Sequence, residues 1–289
     1  MNAISTKLLA AAFVAGAALA GEATGEATAG TLDQIKQDKA IRIAFREDSP
    51  PFSFKAANNQ PAGFIVDLCQ AVIVKVGQQL NLPGLKVTYV PVTSLDRFDA
   101  IAQQKADLLC EATSATLSRR AIVDFSIGTF VDGASFAIRS GGPQDFKQFA
   151  GKKLGVLAGT TTEGDLRRAL TAASINAEIV LSKTHTEGLA SLEKSVTVAY
   201  FADHAILTFL IKENKSPVQL MLANTYLSTE PYALAMRRGD EDFRLAVDRA
   251  LSHIYRSGEI VGIFNKTFGT QARPSQILQT LYSISALPD

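Results

Sequence analysis

Three arginines in this 289-residue chain are of a residue type able to bind a carboxylate. Arg46 directly follows the strand-like run IRIAF, Arg97 ends TSLDR, and Arg119 sits in SATLSRR. A guanidinium can donate two parallel hydrogen bonds to a carboxylate, which is the chemistry the residue type allows. Gly159-Thr160-Thr161 precedes a helical stretch, where N–H groups, hydroxyls and the helix dipole would point at an anion. Asp203, ending the apolar run AYFAD, is a candidate counter-charge for a cation. Each also has a plainer reading. Arg119 and its neighbour Arg120 would be helix surface charges, Thr160 and Thr161 would cap a helix, and Asp203 would cap the next one. No HExxH or paired CxxC occurs, and no nucleophile–base pair or phosphate loop is visible. Catalytic residues, a cofactor and a metal site are therefore not expected.

These residues fall at the ends of alternating strands and helices. Thr31 reads as the N-cap of a short helix LDQIKQDK, followed by strand 41–45, a Pro-rich loop over 46–63 and a helix over 66–80. Strand 85–92, helix 94–105 and strand 106–112 come next. After strand 134–140 and the break Gly141-Gly142-Pro143 the pattern restarts, with strands over 152–159, 177–183, 196–202 and 218–222. Helices over 161–173, 186–194 and 205–212 separate them; the tail adds strand 232–238 and helices 240–258 and 259–269. Such alternation predicts two α/β units, each with a mostly parallel sheet, and a cleft between them.

Composition bounds the partners. The chain is 47% hydrophobic with 29 Lys+Arg against 28 Asp+Glu, the profile of an ordered globular protein. Near-neutral charge is a poor basis for nucleic-acid binding, which needs clustered cations. Lys7 before the apolar run LLAAAFVAGAALA (8–20) reads as an export signal, residues 1–20, with cleavage as late as 29. At 13 residues the run is too short to span a bilayer. Residues 21–30 read as a flexible spacer. In an oxidising compartment Cys69 and Cys110 would form a disulfide closing a loop of about 40 residues, or remain two buried thiols.

Six motifs in order, TLDQIKQDKAIRIAFREDSPPFSF, AGFIVDLC, VPVTSLDR, LLCEATSATLSRRAIVDFS, LGVLAGTTTEGDL and VAYFADHA, carry a resemblance. The mature chain resembles the family 3 periplasmic solute-binding proteins of ABC amino-acid importers, above all the branch that binds glutamate and aspartate. The resemblance implies an α/β, two-lobe, type II periplasmic-binding-protein fold with two hinge strands and a ligand cleft. Lobe 1 would be 31–134 plus 235–289 and lobe 2 would be 135–234, with hinges near Ser135–Arg139 and Tyr232–Met236. It implies a periplasmic, monomeric protein that binds an amino acid and delivers it to membrane permease subunits.

Carried over residue by residue, Arg119 would hold the α-carboxylate with help from Ser114 and Thr116. Thr160 and Thr161 would reach it from the other lobe, and Asp203 would receive the α-ammonium. Arg46, Arg97 and His185 match positions near the distal carboxylate of an acidic ligand. With Arg119 and Asp203 the arginines leave a pocket charge of +2 with His185 neutral, which suits glutamate or aspartate. One departure stands out. The family's Gly-Ser-Thr before the arginine is here Glu111-Ala112-Thr113, so a hydroxyl is missing and an acid is added. Glu111 would either face the pocket and weaken the case for a dicarboxylate, or turn away and pair with a basic residue. The alternative on this scaffold is a cyclohexadienyl or arogenate dehydratase-like enzyme, with Glu111, Glu163 or Glu230 as general acid.

Overall fold

The computed structural model describes residues 30–288. The expected signal peptide lies outside the described residues, as does the spacer apart from Gly30. Two five-stranded sheets carry the fold. The first has the spatial order Lys86–Val92, Ala40–Arg46, Leu108–Leu109, Glu230–Arg237, Val123–Asp132. The second runs Glu178–Ser182, Lys153–Leu157, Ala199–Asp203, Ala134–Arg139, Leu220–Leu222. In each, two parallel pairings give way to two antiparallel ones, so the sheets are mixed rather than mostly parallel. Parallel neighbours need helical crossovers, whereas the chain passes between the sheets in extended segments.

There are two such passages. Strand Val123–Asp132 runs through Gly133 straight into strand Ala134–Arg139, and residues 223–229 carry the chain back to strand Glu230–Arg237. The expected hinges therefore shift. Ser135–Arg139 and Tyr232–Met236 are hydrogen-bonded inside their sheets, and a laddered strand is not free to swivel. The joints are Gly133 and 223–229, and residue 235 falls within a strand of the first sheet. A Cβ on Gly133 would lie 2.6 Å from Tyr226 Cδ1 and 2.7 Å from Ser228 O, so only glycine lets the two passages lie side by side.

The first core joins both ends of the chain. Helix Phe64–Gln79 packs with helices Glu241–Ser257 and Glu259–Phe268 beside the first sheet. Phe52, Phe64, Phe130, Tyr232 and Phe268 form a ring cluster there, with Phe52 and Phe130 centred 4.9 Å apart edge to face. Cys69, on that helix, is bonded to Cys110, just beyond strand Leu108–Leu109, and ties helix to sheet. Phe136, Phe149 and Phe201 centre the second core.

Several local expectations change. Gly30, not Thr31, is the N-cap of helix Thr31–Asp38, and the Thr31 N–H and hydroxyl donate to Asp240 at 2.8 and 2.6 Å. The Pro-rich loop holds a small sheet of Asp48–Ser49, Ser53–Lys55 and Pro61–Ala62. A further helix, Gln276–Ser285, capped by Ser275, buries Leu278 and Tyr282 against strand Val123–Asp132.

Two stability measurements follow from this packing. Reducing Cys69–Cys110 should cost about 2–4 kcal/mol, by releasing the cross-linked loop in the unfolded chain; urea unfolding with and without reductant reads it, and an unmoved midpoint contradicts it. Gly188, inside helix His185–Glu193, leaves no room for a Cβ against the Tyr200 ring. Gly188→Ala should destabilise by about 1–3 kcal/mol in the same assay despite alanine's better helix propensity.

Candidate functional site

Strand and helix ends from both sheets meet at one narrow, largely polar cavity. Arg46, Arg97, Ser114, Arg119, Thr160, Thr161, His185 and Asp203 all line it. Thr116 does not join them. Its hydroxyl accepts from the Arg119 N–H at 3.2 Å and so starts the short helix Leu117–Arg120. Its part is to orient the backbone that carries the arginine.

Arg119 is half-buried, with Nη1 donating to the Ser114 carbonyl at 2.8 Å and its guanidinium 5.2 Å from the Phe98 ring centre. Burial pulls its pKa down, and the nearby Glu111, Glu230 and Asp203 oppose that. Arg120, its exposed neighbour, covers Phe125 instead. On the opposite wall, Thr160 caps helix Thr161–Ala172 by accepting from Glu163 N–H at 3.2 Å, so capping and pocket lining coincide. This brings the positive end of that helix to the cavity. Gly159 makes the approach possible: φ is +74°, and a Cβ would lie 2.8 Å from Leu95 Cδ2.

Asp203 occupies the N-cap position of helix His204–Glu213 but makes no capping bond. Its carboxylate accepts from Thr162 Oγ1 at 2.9 Å and from the Tyr232 hydroxyl, across from the first sheet. Burial raises its pKa; the two hydroxyl bonds pull the other way, and Glu111 adds to the rise. Asp132 beside the Gly133 joint is pushed up to about 7, by burial first and then by Asp203. Glu230, which accepts from Ser114 and from Thr161 (2.9 Å), is likewise raised by burial and by Asp203. Asp203 lines this end of the cavity, and Asp132 and Glu230 lie behind it, a setting suited to a cation.

The other end differs from expectation. Arg46 is almost fully buried and paired with Asp48 through Nε (2.9 Å) and Nη2 (2.5 Å). Arg97 spans the cleft: Nη1 donates to Ser94 O and Nη2 to Gly159 O at 3.2 Å. Burial lowers its pKa to about 10, leaving it charged at neutral pH. Glu111 faces the cavity and also pairs with a base, so the two alternatives for it merge. Its carboxylate is 3.2 Å from Arg97 Nε and 4.0 Å from Arg46 Nη1. Three arginines thus meet three carboxylates, Glu111, Asp48 and Asp203, and the expected surplus of +2 disappears. His185 supplies no charge either. It is buried with Nδ1 2.9 Å from the Tyr200 hydroxyl, and burial, followed by Arg46, lowers its pKa to about 4.

Sequence reasoning missed Asp48, Thr162 and Tyr232. Arg-x-Asp spacing at a strand end was the available signal for Asp48; nothing marked Tyr232, which reads as core. Glu163, offered as a general acid, sits in the first turn of its helix, where its carboxylate accepts from Arg167 and the Gly159 N–H, and it does not line the cavity.

Residues 41–270 match the bacterial extracellular solute-binding proteins, family 3. The chain is 33% identical over 284 residues to the L-glutamate/L-aspartate-binding protein of Pseudomonas aeruginosa, covering 98% of this chain and 93% of that one. It is 30% identical to the glutamate/aspartate import solute-binding protein of Escherichia coli, covering 94% and 90%. Among solved structures, an ancestral arginine-binding protein bound to glutamine matches with TM-score 0.72 at 25% identity, covering 80% of this chain and 98% of that one. The L-cysteine solute receptor of Neisseria gonorrhoeae matches at 0.74 and 24%, covering 85% and 98%, a likeness of fold. These relatives are binding proteins rather than enzymes, and two lobes of mixed α/β structure around a cleft are their common fold. The chain belongs to the bacterial extracellular solute-binding proteins of family 3.

Proposed function

We propose that this protein is the periplasmic substrate-binding subunit of an ABC importer, and that it captures glutamate or aspartate. The observation that carries the reading is the convergence of Arg119, the start of helix Thr161–Ala172 and Asp203 on one cavity. Arg119 and the helix end take the α-carboxylate. Asp203 takes the α-ammonium, a cation that relieves its repulsion with Asp132 and Glu230. Arg46 and Arg97 lie at the remaining end, where a distal carboxylate would point. The names of the Pseudomonas aeruginosa and Escherichia coli relatives support an acidic ligand.

The chain acts as a monomer after export and loss of its first 20 to 29 residues, and its liganded form docks on membrane permease subunits. It needs no cofactor and no nucleic acid. The dehydratase reading gains nothing from Glu163, whose carboxylate is engaged by Arg167 and the Gly159 N–H and does not line the cavity.

Calorimetric titration of ligand-stripped mature protein with glutamate, aspartate, glutamine, asparagine, histidine and arginine tests this. Acidic ligands should bind on the order of micromolar or tighter. Arg119→Ala should weaken every amino acid by about 100-fold or more, the loss of a charge-assisted bidentate contact. Preference for arginine or histidine, or no binding of any amino acid, would contradict the reading.

A further inference from the structure

Glu111 is an ionisable group lodged where the distal end of a ligand would lie. It is 1% exposed, borders the cavity, accepts from the Thr113 hydroxyl, and lies 3.2 Å from Arg97 Nε and 4.0 Å from Arg46 Nη1. The charged groups around it are few. Arg97 comes from helix Arg97–Ala102, Arg46 and its partner Asp48 from the first strand and the turn after it, Arg119 from helix Leu117–Arg120, and Asp203 from the second sheet. His185 borders the same cavity and is neutral above about pH 4.

Each arginine at this end already has a carboxylate: Asp48 holds Arg46 and Glu111 holds Arg97. A ligand carboxylate arriving there puts three anions on two guanidiniums in a site with little water. Like charges at that distance are resolved by protonating one of them. Asp48 is locked by two hydrogen bonds to Arg46, whereas burial has already raised the Glu111 carboxyl toward its neutral form.

We propose that Glu111 is a specificity-determining residue that couples capture of an acidic side chain to uptake of one proton. This rests on the amino-acid-binding reading above and deepens it. Glutamate or aspartate binds with Glu111 protonated, the proton coming from solvent, and the neutral carboxyl then donates a hydrogen bond. Glutamine or asparagine binds with Glu111 ionised, the carboxylate accepting from the amide. Binding raises the Glu111 pKa, so affinity for acidic ligands is full below its free-state pKa. It falls as pH rises toward the bound-state pKa, by up to about tenfold per unit.

The test is calorimetric titration of the mature protein with glutamate and with glutamine from pH 5.5 to 9, for the natural chain and Glu111→Gln. Natural protein should lose at least about tenfold in glutamate affinity across this range relative to glutamine. Glu111→Gln should bind glutamate at least about tenfold tighter at pH 8 and remove the difference in slope. Titrating the natural chain in two buffers of different ionisation enthalpy counts the proton even if the variant fails to fold. Net uptake should be greater with glutamate than with glutamine, approaching one proton where Glu111 starts ionised. Parallel pH profiles with equal proton counts would overturn the linkage while leaving amino-acid capture intact. Failure of both ligands to bind would overturn the amino-acid reading and the linkage together.

Discussion

The cleft is governed by the cost of taking charge out of water. Arg46, Arg97 and Glu111 are all at least 98% buried, with relative exposures of 2%, 2% and 1%. Burying an unpaired ion is far more costly than burying a matched one, so each must bring its partner along. Asp48 follows Arg46 by two residues, and Glu111 reaches Arg97 from beyond the adjoining strand. At the opposite end Asp203, Asp132 and Glu230 are held by hydroxyls and backbone N–H groups, with Arg119 the nearest cation. Each end of the cavity therefore holds both signs of charge: Arg46 and Arg97 with Asp48 and Glu111 at one, and Arg119 with Asp203 at the other.

The fold serves this arrangement by bringing strand ends and helix starts from two sheets to within hydrogen-bond reach. Arg97 to Gly159, Thr161 to Glu230, the His185 N–H to Asp48 and Tyr232 to Asp203 all join residues of the two halves. Glycine decides two of the approaches. Gly159 lets the helix-start turn pass over Ser94 and Leu95, and Gly133 lets the two passages between sheets run in contact. Aromatic rings behind the first wall, with Phe52 and Tyr232 packed 5.3 Å apart, fix the strand from which the Tyr232 hydroxyl reaches Asp203.

Much of this was legible in the residues themselves. The strand–helix alternation found most strands of both sheets, but the break at Gly141-Gly142-Pro143 lies within the second sheet's run of chain, after its strand Ala134–Arg139, and strand Val123–Asp132 was not expected. Eight of the nine expected binding residues line one cavity, because each sits at an element end that periodicity can find. What failed depended on partners distant in the chain. Composition cannot reveal that Glu111 turns inward toward Arg97, nor that burial keeps His185 neutral. Thr116 stands apart from the other eight because its hydroxyl caps helix Leu117–Arg120. The crossings fall just outside the expected hinge ranges, because apolar residues run through most of strands 134–139 and 230–237. Periodicity does not say where a ladder stops and a crossing begins.

The central claim is that the cavity reads the zwitterion of an amino acid by its two ends. A crystal structure of the mature protein with bound glutamate tests it most directly. In that structure the α-carboxylate should lie on Arg119 at the start of helix Thr161–Ala172, the α-ammonium on Asp203, and the side chain should point at Arg97 and Glu111. Glutamate bound with its ammonium toward the arginines, or lodged outside this cavity, would contradict it.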